Sequence, residues 1–340
     1  MIRHIAYLLI IALSIPFLPC AAIAGDTLDA VRLRDEMVCG VSTGLPGFSM
    51  PNDDGEWEGL DADMCRAVAA AVLGDADKVS FVPLNSKDRF KALQTGEIDV
   101  LIRNSTWTFS RDTELDVTFV GVNYYDGQGF MVNRNLGVNS VDDLTNASIC
   151  MQSGTTTEMN IKAYFKLKGM DYTLVPYNTS DQTAVGFQSG RCNVLSSDQS
   201  QLFALRHRMA DPDLGVILPE VISKEPLGPA VRKDDKEWLK IVQWTLFALI
   251  NAEELGVSSK NAAQLRRSNK PEIQWLLGTH GNLGDQMGLE YNWAFNAIRQ
   301  VGNYGEIFER NVGSKSPLNI KRGMNALWKD GGIMYAPPIR

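Results

Sequence analysis

LQTGEIDVLIRN at 93–104 returns 94 residues further on as FQSGRCNVLSSD at 187–198. Gln, Gly, Val and Leu are kept, while Thr becomes Ser, Asp becomes Asn and Leu becomes Phe. Each copy reads as a helix end, a glycine, a β-branched strand and a polar cluster, so Asn104 and Asp198 fall at equivalent strand ends. A chain that repeats this pattern at such a distance must build two comparable α/β units. Ligands of open α/β sheets bind outside the carboxyl ends of the strands, which turns both polar clusters toward a shared crevice.

The surrounding elements agree. Val38–Ser42 is a short β-like run, followed by the turn TGLPGF and a helix over 60–74 that Gly74 stops. A strand over 79–84, a helix from about Lys87 to Thr95 and a strand over 98–102 come next. Strands alternating with helices predict parallel pairing and an α/β class. The second unit is predicted to begin at GFMVN (129–133) and to close near EPLGPAV (225–231), which assigns 25–130 and 227–340 to one lobe and 131–226 to the other. Two extended crossings make a hinge.

The first residues, MIRHIAYLLIIALSIPFLPCAAIAGD, combine Arg3, an apolar run from Ile5 to Leu18 and Ala22-Ile23-Ala24 before Gly25. This is the pattern of a secretory signal peptide over 1–24, with cleavage near Ala24. Pro19 argues against a lipid-modified Cys20. The remaining chain of about 316 residues is enough for two cores. The amphipathic run WLKIVQWTLFALI (238–250) carries Lys240 and Gln243, so it is read as a packed helix and not a membrane span. A net charge of -7, with no stripe of basic and aromatic residues, argues against nucleic acid.

Beyond Cys20 the cysteines are Cys39, Cys65, Cys150 and Cys192, an even number that suits two disulfides in an oxidising compartment. Three pairings exist, and proximity favours Cys39 with Cys65 and Cys150 with Cys192. A metal site is not expected: there is no CxxC, and past the leader the histidines are His207 and His280. No cofactor motif is present.

The stretch RNSTWTFSRDTEL (103–115) offers three readings: a glycosylated loop, a surface ion-pair cluster of Arg111 with Asp112 or Glu114, or half of a pocket for a carboxylate. A guanidinium matches a carboxylate with paired donors, and Asn104 and Thr106 add short polar groups. In ASICMQSGTTTEMNIKAYF (147–165) a strand leads through Gly154 into a helix, where Thr155 and Glu158 fit a capping box. The same free amides make an anion site with the Thr155 and Thr156 hydroxyls. Asp198 either caps the next helix or faces a ligand amine. Ser86 and Arg89 start a helix after a strand end, where Arg89 is either solvated or a contact for a ligand side chain. An α-amino acid is a zwitterion, and its head group accounts for these cationic and anionic elements together.

The blocks GLDADMCRAVAAAV, KDRFKALQTGEIDVLIRNSTWTFSRDTE, YYDGQGFMVN, CMQSGTTTE and GRCNVLSSDQSQLFALR resemble family 3 periplasmic solute-binding proteins of ABC transporters, in their general, polar amino-acid branch. The resemblance implies a two-lobed Venus-flytrap fold with a two-strand hinge, acting as a monomer that delivers an L-amino acid to an inner-membrane permease. It implies that Arg111 holds the ligand α-carboxylate with Thr106, Thr155 and Thr156, and that Asp198 holds the α-amino group with the Asn104 backbone. Positions matching Ser86 and Arg89 contact the side chain in relatives that select acidic amino acids, which supports glutamate or aspartate beside glutamine and asparagine. Ser42 and Leu45 depart from the charged or aromatic contacts of narrower relatives, which implies a roomier pocket. An exported dehydratase on the same fold is the enzymatic alternative, and a sensory role would use the same pocket. The segment 261–340 extends beyond smaller members, and its aromatics Trp275, Trp293, Tyr304 and Trp328 are expected to pack against the first lobe.

Overall fold

The computed structural model describes residues 27–340; the signal-peptide segment, Cys20 and Gly25 lie outside them. Helix α1 (Thr27–Arg34) leads into β1 (Met37–Ser42), a hairpin of β2 (Met50–Pro51) and β3 (Trp57–Glu58), and α2 (Leu60–Leu73). Gly74 ends α2 with φ 74, a left-handed conformation that glycine adopts without strain. Then follow β4 (Val79–Leu84), α3 (Arg89–Gln94), β5 (Val100–Leu101), α4 (Phe109–Glu114) and β6 (Val117–Phe119). Helix α3 starts two residues later than the sequence predicts, because Asn85 turns the chain first: its side-chain Oδ1 accepts from the backbone amides of Lys87 and Asp88.

The chain crosses over through β7 (Tyr124–Asp126) into β8 (Gln128–Asn133), β9 (Ala147–Gln152), α5 (Thr156–Lys168), β10 (Tyr172–Tyr177), α6 (Ser180–Gln188), β11 (Val194–Asp198), α7 (Gln199–His207) and β12 (Gly215–Ile217). It returns through β13 (Glu225–Leu227) to β14 (Ala230–Arg232), α8 (Lys236–Glu254), α9 (Ala262–Leu265), α10 (Pro271–Leu276), α11 (Trp293–Val301) and α12 (Tyr304–Asn311). One sheet has the order β4-β1-β5-β14-β6 and the other β10-β9-β11-β8-β12. In each, three parallel strands are followed by one that runs antiparallel to them and by a last one that runs with them again. Strands β5 and β11 therefore hold the same place in their sheets, as the internal echo requires. The parallel pairing expected throughout holds for the βαβ halves, while β14 and β8, delivered by the crossings, enter reversed.

The two crossings pair with each other as an antiparallel ribbon, with Asp126 opposite Glu225 and Leu227 opposite Tyr124. Gly228 sits where they converge: a Cβ there would meet the Gly121 carbonyl oxygen at 1.9 Å. Disulfides join Cys39 to Cys65 and Cys150 to Cys192, with Cα separations of 6.2 and 5.7 Å. The first pins α2 onto β1, and the second fixes the approach to β11 against β9.

Helix α8 is the centre of the first lobe, its Trp238 fully buried with the indole N–H donating to the Asp99 carbonyl at 3.0 Å. Truncating such a side chain costs about 3–5 kcal/mol. The extension packs on this lobe through buried Trp293 and Tyr304 and half-buried Trp275. Trp328 departs from expectation: it is 52% exposed, its indole N–H donates to Glu254 and its ring meets the Tyr335 edge. GMNALW forms 3-10 turns, not an α-helix.

Candidate functional site

The carboxyl ends of β4 and β5 build one wall. Beyond β5 the chain turns at Asn104, whose φ of 34 is left-handed, and runs beside the returning crossing. Gly228 N–H donates to the Ser105 carbonyl at 3.0 Å and Trp107 N–H to the Pro226 carbonyl at 2.8 Å. This docking presents Thr106 and, from α4, Arg111. The Arg111 guanidinium donates to the Thr106 carbonyl at 2.8 Å, so it is held by the loop itself and not by Asp112 or Glu114. Its charged carbon lies 5.4 Å from the Phe90 ring, and that of Arg89 lies 5.0 Å from the same ring.

Arg89 is 2% exposed and its Nε has no hydrogen-bond partner. Burial, and then the charges of Arg103 and Arg111, hold it well below the usual guanidinium range. Arg103, whose Nε donates to the Leu84 carbonyl at 3.0 Å, is lowered by burial to about 10. Three guanidinium groups thus converge where sequence reasoning identified two.

The facing wall comes from the amino end of α5 and the end of β11. Thr156 hydroxyl donates to Glu225 at 2.9 Å and lies 3.5 Å from the Thr106 hydroxyl of the other lobe. The predicted capping box is absent: Thr155 hydroxyl donates back to the Gln152 carbonyl at 2.7 Å, and Glu158 pairs with Lys162 one turn on. Asp198 occupies the cap position of α7, yet its carboxylate makes no cap bond. Asp126 takes that role, accepting from Ser200 N–H at 3.3 Å and from Gly127 N–H at 2.8 Å. Relieved of capping, Asp198 faces the cleft while 7% exposed. Burial pushes its carboxyl well up, Asp126 and Glu225 add to this, and Arg111 and Arg89 oppose it. Asp126 is pushed up to about 6, chiefly by burial.

Four contacts join the lobes across this cleft. Ser86 hydroxyl donates to the Ser153 carbonyl at 2.8 Å, Lys87 ammonium to Asn178 at 3.3 Å and the Asn104 side-chain amide to Gln201 at 3.3 Å; the Thr106–Thr156 pair is the fourth. The lobes are closed on one another. The Asn104 N–H donates to Asp61 at 2.8 Å. Asp61 also accepts from Asn123 at 3.1 Å, and burial raises it to about 6.

Ser86, Asn104, Thr106 and Thr156 therefore bond across the lobes, and Arg89, Arg111 and Asp198 act on one another by charge, whereas Thr155 bonds Gln152 of its own lobe. Asp61, Arg103, Asp126, Glu225 and Gln201 were missed. Asp126 in YYDGQGF and Glu225 in KEPLGP were legible as charges inside the crossings, where an ionisable group needs a reason. Ser42 and Leu45 are both buried.

Two α/β lobes joined by a two-strand hinge, with cations on one wall and carboxylates on the other and at the hinge, define the class of two-lobed solute-binding proteins. The family model for bacterial extracellular solute-binding proteins, family 3, matches residues 37–261, and the chain belongs to this family. It is 52% identical to the general L-amino acid-binding periplasmic protein AapJ of Rhizobium johnstonii, over 94% of each chain. It is 49% identical to the glutamate/glutamine/aspartate/asparagine-binding protein BztA of Rhodobacter capsulatus, over 95% of this chain and 96% of that one. An ABC transporter periplasmic binding protein from Brucella ovis, solved with glutathione bound, superposes with a TM-score of 0.91 at 52% identity, covering 93% of this chain and 100% of the other.

Proposed function

We propose that this chain is the periplasmic substrate-binding component of an ABC importer for polar L-amino acids, with glutamate, glutamine, aspartate and asparagine as the ligand set. The observation that carries the reading is the placing, across the closed cleft, of Arg111, anchored to the Thr106 carbonyl at 2.8 Å, and the buried Asp198, near enough for each charge to act on the other with no ion pair between them. Arg111, the Thr106 hydroxyl and the first amides of α5 receive the α-carboxylate. Asp198 receives the ammonium, with the Asn104 carbonyl beside it. Ser86 and Arg89 meet the side chain, and the unpartnered Nε of Arg89 favours an acidic or amide terminus. Since the Thr156 hydroxyl proton is committed to Glu225 and that of Thr155 to Gln152, these threonines act through backbone and shape.

In this scheme the working division is 25–130 with 227–340 against 131–226, and the strand membership of the two sheets supports it. The leader is removed near Ala24, and the protein works as a monomer in the periplasm. Ligand shifts the lobes toward closure only through contacts that closure improves, and the closed form is what the permease recognises. We assign no catalysis: His207 and His280 are exposed, and the curated relatives above are named as binding proteins.

A γ-glutamyl peptide carries the same head group and a further carboxylate. Arg89 and Arg103 together, with the glutathione-bound relative, favour including it in the panel. The test is calorimetric titration of unfolded and refolded protein against the twenty amino acids and glutathione. One-to-one heat from glutamate, glutamine, aspartate or asparagine is the expected result; a folded protein silent to all of them would end the zwitterion reading.

A further inference from the structure

The C-terminal extension reaches the hinge as well as the first lobe. Tyr125 stands opposite Pro226, which has no N–H, and its own backbone groups turn to Asn325. Tyr125 N–H donates to Asn325 Oδ1 at 2.7 Å, and Asn325 Nδ2 donates to the Tyr125 carbonyl at 3.0 Å. One buried side-chain amide thus pairs with both backbone groups of a hinge residue, as a neighbouring strand would. Two residues earlier, Tyr304 hydroxyl donates to the Asn123 carbonyl at 2.9 Å.

These anchors are themselves fixed. Arg322 Nε donates to the Asn325 carbonyl at 3.0 Å, its Nη2 bonds Glu253 at 3.1 Å, and its guanidinium carbon lies 4.8 Å from the Phe308 ring and 5.3 Å from the Tyr304 ring. Phe308 in turn stacks on Tyr124 at 6.1 Å. The grip covers 123–125 and stops before Asp126, which belongs to the acidic wall of the cleft. Beyond it, a groove of about 610 Å³ lies between 320–325 of the extension and Gln199, Phe203 and Val221 of the second lobe.

We propose that the C-terminal extension is a hinge brace. Asn325 and Tyr304 bind the first crossing to the first lobe as far as Tyr125, which confines the closing rotation to Asp126–Gly127 and the returning crossing. The groove leaves the second lobe room to swing past the brace. The inference rests on the reading that the lobes open and close around a ligand. Asn325 is a positioning residue here, since it touches the hinge backbone and not the ligand.

The experiment uses the full mature chain with both disulfides intact and spin labels on Glu97→Cys and Lys166→Cys, one exposed position on each lobe. Asn325→Ala is expected to widen the ligand-free distance distribution and to raise the dissociation rate of L-glutamate about three- to tenfold, the scale of one or two hydrogen bonds. Tyr304→Phe, which keeps the ring and removes only the hydroxyl, moves both readouts the same way by less. Lys321→Ala, in the same segment but outside the hinge contacts, leaves both unchanged. A folded Asn325→Ala protein with the parental width, or Lys321→Ala widening it equally, would overturn the brace. If Asn325→Ala does not fold, Tyr304→Phe decides alone. If no amino acid narrows the parental distribution, the closure reading itself fails, while the ligand-free widths still judge the brace.

Discussion

Replacing Asp198 with Asn separates binding from folding at one side chain. In the ligand-free protein burial and two neighbouring carboxylates push Asp198 well up, toward a protonated form whose shape an asparagine keeps. The substitution also removes like charge beside Asp126 and Glu225, and its carboxylate caps no helix. Stability should therefore stay within about 1 kcal/mol of the parent, against the 3–5 kcal/mol lost when a structural buried ion pair is broken. The ligand ammonium, by contrast, loses a desolvated charged acceptor, worth about 3 kcal/mol or about 150-fold in Kd. Affinity in the parent should rise as pH passes upward through the raised value of Asp198, and binding below that value should release a proton. Calorimetry in buffers of different ionisation heat, with thermal unfolding of both proteins, reads all three quantities. A Kd within threefold of the parent would refute the ligand assignment, and a collapse of stability would show Asp198 to be structural. Arg267→Ala, at an exposed arginine of the extension, serves as the control.

Arg89→Met should weaken glutamate and aspartate about tenfold or more while changing glutamine and asparagine less, measured as a ratio of Kd values; equal losses would remove Arg89 from side-chain selection. Asp61 titrates at about 6 in the fold against about 3.9 unfolded, so between these values the folded protein keeps a proton that the unfolded chain has lost. Its contribution is present below pH 4 and lost as pH rises through 6, a fall of about 3 kcal/mol in all. Denaturant titrations from pH 4 to 7 should show a shallower slope in Asp61→Asn than in the parent, whatever the offset between them; parallel curves would exclude this assignment. The disulfides close loops of 26 and 42 residues in sequence separation, each worth about 3.5–4 kcal/mol by loop entropy. Reduction should lower the denaturation midpoint strongly, and Cys150→Ala with Cys192→Ala should account for about half of the loss.

The sequence by itself determined the α/β class, the duplicated unit and the residues at the two strand ends, and it favoured the disulfide pairing that the structure shows. These follow from local rules: the period of apolar residues, Gly74 stopping a helix, and the repeat of a strand followed by polar residues. Asp198 was legible as the last residue of one such strand, and Arg111 as part of the polar stretch that follows the other.

Tertiary structure decided which donor meets which acceptor. Thr155 and Glu158 have the spacing of a capping box, yet Thr155 bonds Gln152 and Glu158 bonds Lys162. Asp198 sits at the start of α7, but Asp126, 74 residues before Ser200, accepts the bond from the Ser200 N–H and leaves Asp198 to the cleft. Thr156 meets Glu225 across 69 residues, and Asn325 meets Tyr125 across 200. Spacing along a chain fixes which groups are available within one turn or strand. The choice among competing partners is made only when the two crossings pair and bring distant carboxylates, amides and hydroxyls within 3 Å of one another.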